Sequence, residues 1–94
     1  MTTDLTQEDR RPYFLWDEDL SVREFRQRLV SAPPSERRRL LAKLLREARD
    51  PDVWVFTTPQ AVADRLEELG PMLGRRRAFW TYLIGAWRDD GRLR

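Results

Sequence analysis

The sequence contains no cysteine and no histidine. Without cysteine the chain forms no disulfide and no cysteine-ligated zinc site, and without histidine it lacks the commonest general base. Catalysis would have to rest on Asp, Glu, Ser, Thr, Tyr, Lys or Arg. The one lysine, Lys43, lies between leucines without an obvious activating neighbour. We therefore predict a protein that is not an enzyme, with no catalytic residue, no cofactor and no metal site.

Long apolar runs are also missing. No stretch approaches the roughly 18 consecutive apolar residues that a membrane-spanning helix needs. The first residues, MTTDLTQEDRR, lack the apolar core of a signal peptide. These two absences predict a cytoplasmic protein with no membrane partner.

The length of 94 residues suits one small domain and leaves no room for a second core. Residues 1–12 are polar and show no periodicity, which predicts a flexible tail. Residues 13–94 are then a single helical domain, which opens with the aromatic N-terminal segment Tyr13-Phe14-Leu15-Trp16.

Apolar residues recur at intervals of three and four in four stretches, which is the period of an amphipathic helix. Ser21 and Glu24 have the spacing of a capping box at the start of the first stretch, and the second begins at Pro34 or Ser35. A β-prone run from Val53 to Phe56 has no partner strand and is predicted to be an extended connector or a helical turn. The prediction is an all-α fold, a compact bundle of about four short helices over residues 21–30, 34–50, 58–69 and 75–89.

The four tryptophans, Trp16, Trp54, Trp80 and Trp87, are interpreted as core or near-core residues, because large aromatic side chains dominate the packing of small domains. The alternative is that some of them are anchors for a partner, since tryptophan is enriched at the centres of interfaces.

Charge alternates along the chain in blocks. Residues 1–20 carry a net charge of −4, residues 21–49 of +6, residues 50–70 of −4 and residues 71–94 of +4. All basic residues except Lys43 are arginines. Genome composition or adaptation to heat explains such a preference, and so does a need for bidentate contacts with carboxylates or phosphates. The blocks either neutralise each other within the fold or present one basic block to an acidic partner.

Arg75, Arg76 and Arg77 are the best candidates for an outward-facing basic block, because cations at the start of a helix oppose the helix dipole. Together with Trp80 they are the predicted partner-binding or nucleic-acid-binding residues. Arg76 lies four residues before Trp80 and thus on the apolar face, where a buried guanidinium would need a carboxylate.

We predict that Asp17 or Asp19 supplies this carboxylate, so that a structural ion pair with Arg76 docks the aromatic segment on the last helix. The same two aspartates are a poor metal or acid–base pair, because the positive N-terminal end of the first helix lies beside them.

One functional hypothesis is a helix-turn-helix that binds DNA, formed by the helices of residues 58–69 and 75–89. Three arginines open the second of these helices, where residues reach base edges. However, Asp64, Glu67 and Glu68 lie on the first helix, where phosphates would pass.

The segments Tyr13-Phe14-Leu15-Trp16-Asp17 with Asp19-Leu20, and Leu44-Leu45-Arg46-Glu47-Ala48-Arg49 with Asp52-Val53-Trp54, resemble a family of short bacterial helical proteins of uncharacterised function. Members have an FLWD-x-D motif and are often encoded beside nucleotidyltransferase toxins of the abortive-infection type. The resemblance covers about two-thirds of the chain, and its motifs are aromatic and structural. It implies an antitoxin or accessory subunit and assigns no functional residue.

The sequence-based conclusion is a non-catalytic protein-interaction module with a protein partner, and a DNA-binding regulator is the alternative. Homodimer formation is compatible with both. A structural subunit that stacks RNA bases on Tyr82 or Trp87 is a third reading, although Trp87 fits the core stripe of the last helix at least as well.

Overall fold

The computed structural model describes all 94 residues and contains five α-helices and no β-strand. The helices are α1 (Val22–Ser31), α2 (Pro34–Glu47), α3 (Asp50–Phe56), α4 (Pro59–Leu69) and α5 (Arg77–Asp89). Three short 3-10 turns cover Tyr13–Leu15, Gly70–Met72 and Gly74–Arg76. The all-α prediction is confirmed, but the helices number five rather than four. None of them combines the length and the apolar character that crossing a bilayer requires.

The predicted helix starts rest on local hydrogen bonds. The Ser21 hydroxyl accepts a hydrogen bond from the Glu24 backbone N–H at 3.1 Å, and the Glu24 carboxylate accepts one from the Ser21 N–H at 3.0 Å. This capping box satisfies two backbone donors that the first turn of α1 leaves free. At α4 the Thr58 hydroxyl accepts from the Ala61 N–H at 3.2 Å, and Pro59 occupies the first turn. The predicted capping box is confirmed, and Thr58 caps the helix that was predicted to begin there.

The additional helix is α3, and it corrects two predictions. Asp50-Pro51 does not end the second helix, because α2 already ends at Glu47 and Ala48 caps it. Asp50 and Pro51 instead lie in the first turn of α3, where proline's missing N–H costs nothing. The negative charges of Asp50 and Asp52 interact favourably with the positive end of the helix dipole. The β-prone run to Phe56 is therefore helical, because tertiary packing outweighs its local propensity.

The core draws residues from every helix and from the aromatic segment. Phe14, Phe25 and Phe56 form an edge-on cluster with ring centroids 5.1–5.7 Å apart. On the other side, Trp80 is fully buried and meets Trp54 edge-on at 5.8 Å. Such edge-to-face pairs add stability beyond the area they bury. The predicted apolar stripe of α5 faces this core.

Residues 1–12, predicted to be a flexible tail, are folded back onto the domain. The Thr2 N–H donates to the Arg11 carbonyl at 2.7 Å, and the Tyr13 N–H donates to the Thr2 carbonyl at 2.8 Å. Leu5 is buried in the core, and Glu8 forms an ion pair with Arg26 of α1. In the structure this segment packs on the core, because the side chain of Leu5 is buried there and its backbone groups form hydrogen bonds.

Candidate protein-binding groove

Trp80 is not available to a partner, which corrects its assignment as a binding residue. The side chain is completely buried, and its indole N–H donates a hydrogen bond to the backbone carbonyl of Leu45 at 2.8 Å. Leu45 lies in the last turn of α2, where carbonyls have no intrahelical partner. The role of Trp80 is therefore to join α5 to the end of α2.

Arg76 contacts the apolar face and a carboxylate, but the carboxylate is neither Asp17 nor Asp19. It forms an ion pair with Asp50 at the start of α3. Its guanidinium carbon also lies 4.3 Å from the centre of the Phe79 ring. The predicted pairing is wrong because α3, which the sequence pattern missed, places its N-terminal carboxylate beside the 3-10 turn that holds Arg76.

The two aspartates pair elsewhere. Asp17 forms an ion pair with Lys43, and Asp19 forms one with Arg11. The neighbouring Glu18 contacts the Lys43 ammonium at 2.7 Å and the guanidinium of Arg39 at 2.7 Å. These contacts hold the aromatic segment on α2 rather than on α5. Their arrangement is that of a structural ion cluster.

The pKa values of the groups in this ion cluster follow from their hydrogen bonds. Hydrogen bonds from Arg39, helped by those from Lys43, outweigh burial and lower the pKa of Glu18 from 4.5 to about 2. Burial of Lys43 lowers its pKa, but the hydrogen bonds to Asp17 and Glu18 outweigh this and raise it. Glu18 and Lys43 are therefore both charged near neutral pH.

Arg75 and Arg77 remain exposed, and neither has a carboxylate within ion-pair distance. Arg77 packs across Gly70, where an added Cβ would lie 2.9 Å from the Arg77 Nε. The helix-turn-helix prediction placed all three arginines in the first turn of a helix. In the structure only Arg77 belongs to α5, because Gly74–Arg76 forms a separate 3-10 turn.

A groove that the sequence did not predict lies between α1, α2 and the start of α4. Its volume is about 220 Å³, and it is lined by Leu29, Val30, Arg37, Leu41, Phe56, Thr57, Ala61 and Arg65. Five of these residues are hydrophobic, and the other three are two arginines and a threonine, so the groove offers an apolar floor with basic sides. Val30 is 76% exposed at its rim.

The position of each groove residue follows from the packing of the helices. Phe56 is held from below by the rings of Phe14 and Phe25, at 5.7 and 5.1 Å. Val30 follows Leu29 in the last turn of α1, and the core-facing stripe of that helix already uses Leu29. Val30, an apolar residue outside the stripe, was the one sequence signal for this groove. The sequence pattern alone does not show which helices border the groove.

The two arginines of the groove have free hydrogen-bonding capacity. Arg37 has no carboxylate partner, and its buried Nε donates to no acceptor. Arg65 meets only Glu68, at 3.4 Å and on the solvent-exposed side of α4. A buried donor without an acceptor is unfavourable, and a carboxylate bound here would satisfy it. The groove is thus complementary to an apolar group that carries negative charge beside it.

Comparison with known proteins adds no relative: no protein-family model matches the chain, and neither does a curated protein or a solved structure.

Proposed function

We propose that this protein is a non-catalytic interaction module that binds a partner protein through the groove between α1, α2 and α4. The observation that carries the proposal is the apolar floor around Leu41 and Phe56, with Val30 at its rim and the unpaired Arg37 at its side. The occupant that fits is a peptide segment of the partner with one large apolar side chain and a neighbouring Asp or Glu. The apolar side chain gains affinity by burial, and the carboxylate gains specificity by pairing with Arg37 or Arg65.

The size of the groove supports a side-chain anchor rather than a whole bound helix. About 220 Å³ accommodates one or two large side chains, and small-molecule sites generally start somewhat above that volume. Affinity for such a segment would come from a few central contacts, while the surrounding surface excludes water.

The identity of the partner is a further part of the proposal. The sequence resemblance implies an antitoxin or an accessory subunit encoded beside a nucleotidyltransferase toxin. A segment of such a toxin with an apolar side chain beside an Asp or Glu would fit the groove. This assignment rests on the resemblance. The groove itself indicates only the chemistry of the segment that binds, which is an apolar side chain beside a carboxylate.

The alternative, a DNA-binding regulator that uses α4 and α5, has Arg75 and Arg77 in its favour because both are exposed and unpaired. Two observations weigh against it. Arg76 is neutralised by Asp50, and the depression between α4 and α5 that Arg77 and Arg88 line also contains the carboxylates of Asp64 and Glu67, which reduce its attraction for phosphates. We therefore rank protein binding first.

The proposal can be tested by selecting peptides from a random phage-displayed library on the immobilised protein. Selected peptides should share an apolar residue next to Asp or Glu. Val30→Glu should weaken their binding by at least about tenfold, because it places a carboxylate at the rim of the groove. The matched control is Val55→Glu, which changes a valine that is 47% exposed on α3 and does not line the groove.

The basic side of the groove needs its own pair of variants. Arg37→Glu should abolish the preference for acidic peptides, and Arg38→Glu, one residue further along α2 and outside the groove lining, should leave it intact. If no peptide is selected, or if the selected peptides bind Val30→Glu as well as the unmodified protein, the groove is not the binding site. If the protein binds duplex DNA in a salt-sensitive manner, and the double variant Arg75→Glu/Arg77→Glu loses this binding, the result would support the DNA-binding alternative.

The natural partner can be sought with the same variants. A tagged protein purified at low salt from its host should retain one partner in stoichiometric amount, as identified by mass spectrometry. Val30→Glu should lose that partner, and Val55→Glu should keep it. Nucleic acid in the preparation, detected by its absorbance, would again favour the DNA-binding reading.

A further inference from the structure

The outer face of α5 has features that the interior of the molecule does not explain. Tyr82 is 76% exposed, and Ala78 and Thr81 beside it are also exposed. Gly85 lies one turn after Tyr82 in the middle of the helix, and no atom lies within 4 Å of the position that a Cβ would take there. A glycine in a helix interior is unfavourable compared with alanine, and nothing within the chain requires one at this position.

The residues of this face form a continuous strip. Ala78, Tyr82, Gly85 and Asp89 follow one another at intervals of four, three and four residues, so they lie along one side of α5. A small residue precedes the exposed aromatic ring, and another small residue follows it. Such a strip allows a second helix to approach closely, with the tyrosine ring of each helix placed over the glycine of the other.

The charges at the two ends of the strip are opposite and unpaired. Arg75 lies at its N-terminal end without a carboxylate partner, and Asp89 lies at its C-terminal end without a basic partner. Arg77 is not part of the strip, because its guanidinium packs across Gly70 on the side of α5 that faces α4. The adjacent Arg88 does not neutralise Asp89, because its guanidinium donates to the carbonyls of Ala63 and Arg94. The strip is therefore complementary to itself when two copies run antiparallel.

We infer that the protein forms a symmetric homodimer in which two α5 helices pack antiparallel about a two-fold axis between Tyr82 and Gly85. The Tyr82 ring of each copy covers Gly85 of the other, and Arg75 of each copy meets Asp89 of the other. A helix of 13 residues is about 20 Å long, so the interface is small and the association is weak and sensitive to salt. This surface is separate from the groove, and the inference does not depend on the proposed function.

The decisive experiment is sedimentation equilibrium over a wide concentration range at low ionic strength. The unmodified protein should associate to dimers. Arg75→Glu and Asp89→Arg should each be monomeric, because each places like charges together at both ends of the interface. An equimolar mixture of these two variants should dimerise again, because in the mixed dimer both ends are complementary. Within one copy the two positions are about 20 Å apart along the helix axis, so the direct interaction between them is weak.

A second variant separates the dimer from the stability of the monomer. Gly85→Gln has open space within its own chain and is a better helix former, so the monomer should be at least as stable to heat. Its side chain would occupy the place of the partner's Tyr82, so dimerisation should be lost. Val30→Glu serves as the control and should dimerise normally.

Three results would overturn the inference. The unmodified protein could remain monomeric up to millimolar concentration, the mixture of charge variants could fail to restore a dimer that each variant lacks, or Gly85→Gln could dimerise as well as the unmodified chain. Saturable binding of duplex DNA by a monomer, lost in Arg75→Glu, would instead assign the face to nucleic acid.

Discussion

The indole N–H of Trp80 donates a hydrogen bond to the backbone carbonyl of Leu45 at 2.8 Å. The bond satisfies a carbonyl that the end of α2 would otherwise leave without a partner in the core. It also explains why a tryptophan, rather than a phenylalanine of similar shape, occupies the fully buried position at the centre of the α5 stripe.

Trp80→Phe should lower the free energy of unfolding by about 2–4 kcal/mol, because it removes the donor for a buried carbonyl and leaves part of the indole volume empty. Urea denaturation followed by far-UV circular dichroism measures the change. Trp87→Phe is the control, since Trp87 is half-buried and its indole forms no hydrogen bond, and it should cost less than about 1.5 kcal/mol. Equal losses in the two variants would show that the bond to Leu45 contributes nothing.

The ion pair of Arg76 with Asp50 predicts a specific coupling. In a double-mutant cycle, Arg76→Ala and Asp50→Ala should show a coupling energy of about 0.5–1 kcal/mol, which is typical of a partly exposed pair. Arg76→Ala and Asp17→Ala should show none, because Asp17 contacts Lys43 instead. Thermal or urea denaturation of the four single and double variants decides between the two pairings, and coupling of Arg76 to Asp17 would contradict the structure.

The lowered pKa of Glu18 predicts how the free energy of unfolding depends on pH. Its pKa is lowered from 4.5 to about 2 in the folded protein, so its ionised form stabilises the fold above pH 4.5. We expect this contribution, about 2 kcal/mol after screening of the half-exposed Arg39, to disappear as the pH falls from about 4.5 to about 2. Urea denaturation at a series of pH values should show a shallower loss for Glu18→Gln than for the unmodified protein. Parallel curves through this window would refute the assignment.

The packing of residues 1–12 predicts that the buried side chain of Leu5 contributes to the free energy of unfolding. Leu5 is 8% exposed, whereas Met1 is 66% exposed. Leu5→Ala should lower the free energy of unfolding by about 2 kcal/mol, near the lower end for buried leucines, and Met1→Ala should change it by less than about 0.5 kcal/mol. A Leu5→Ala variant as stable as the Met1→Ala variant would restore the interpretation of residues 1–12 as a tail.

Features encoded within a few residues were predictable. The capping box of Ser21 with Glu24, the Thr58 cap and the apolar stripe of α5 depend on spacing along one helix, and all three are present in the structure. The helix α3 was missed because it is only seven residues long and its β-branched residues favour a strand when considered locally. Its burial against α2 supplies the stability that its own sequence lacks.

The sequence by itself determined that this chain is helical, because helical periodicity is a local property, whereas the number of helices and several of their ends differ from the prediction. Only the tertiary structure decided which charges meet and which surfaces stay open. Arg76 could have paired with several carboxylates by sequence, and the position of α3 selected Asp50. The groove beside Arg37 likewise exists only because α1, α2 and α4 meet there. Both depend on the relative placement of residues far apart in the chain, which spacing along one helix does not encode.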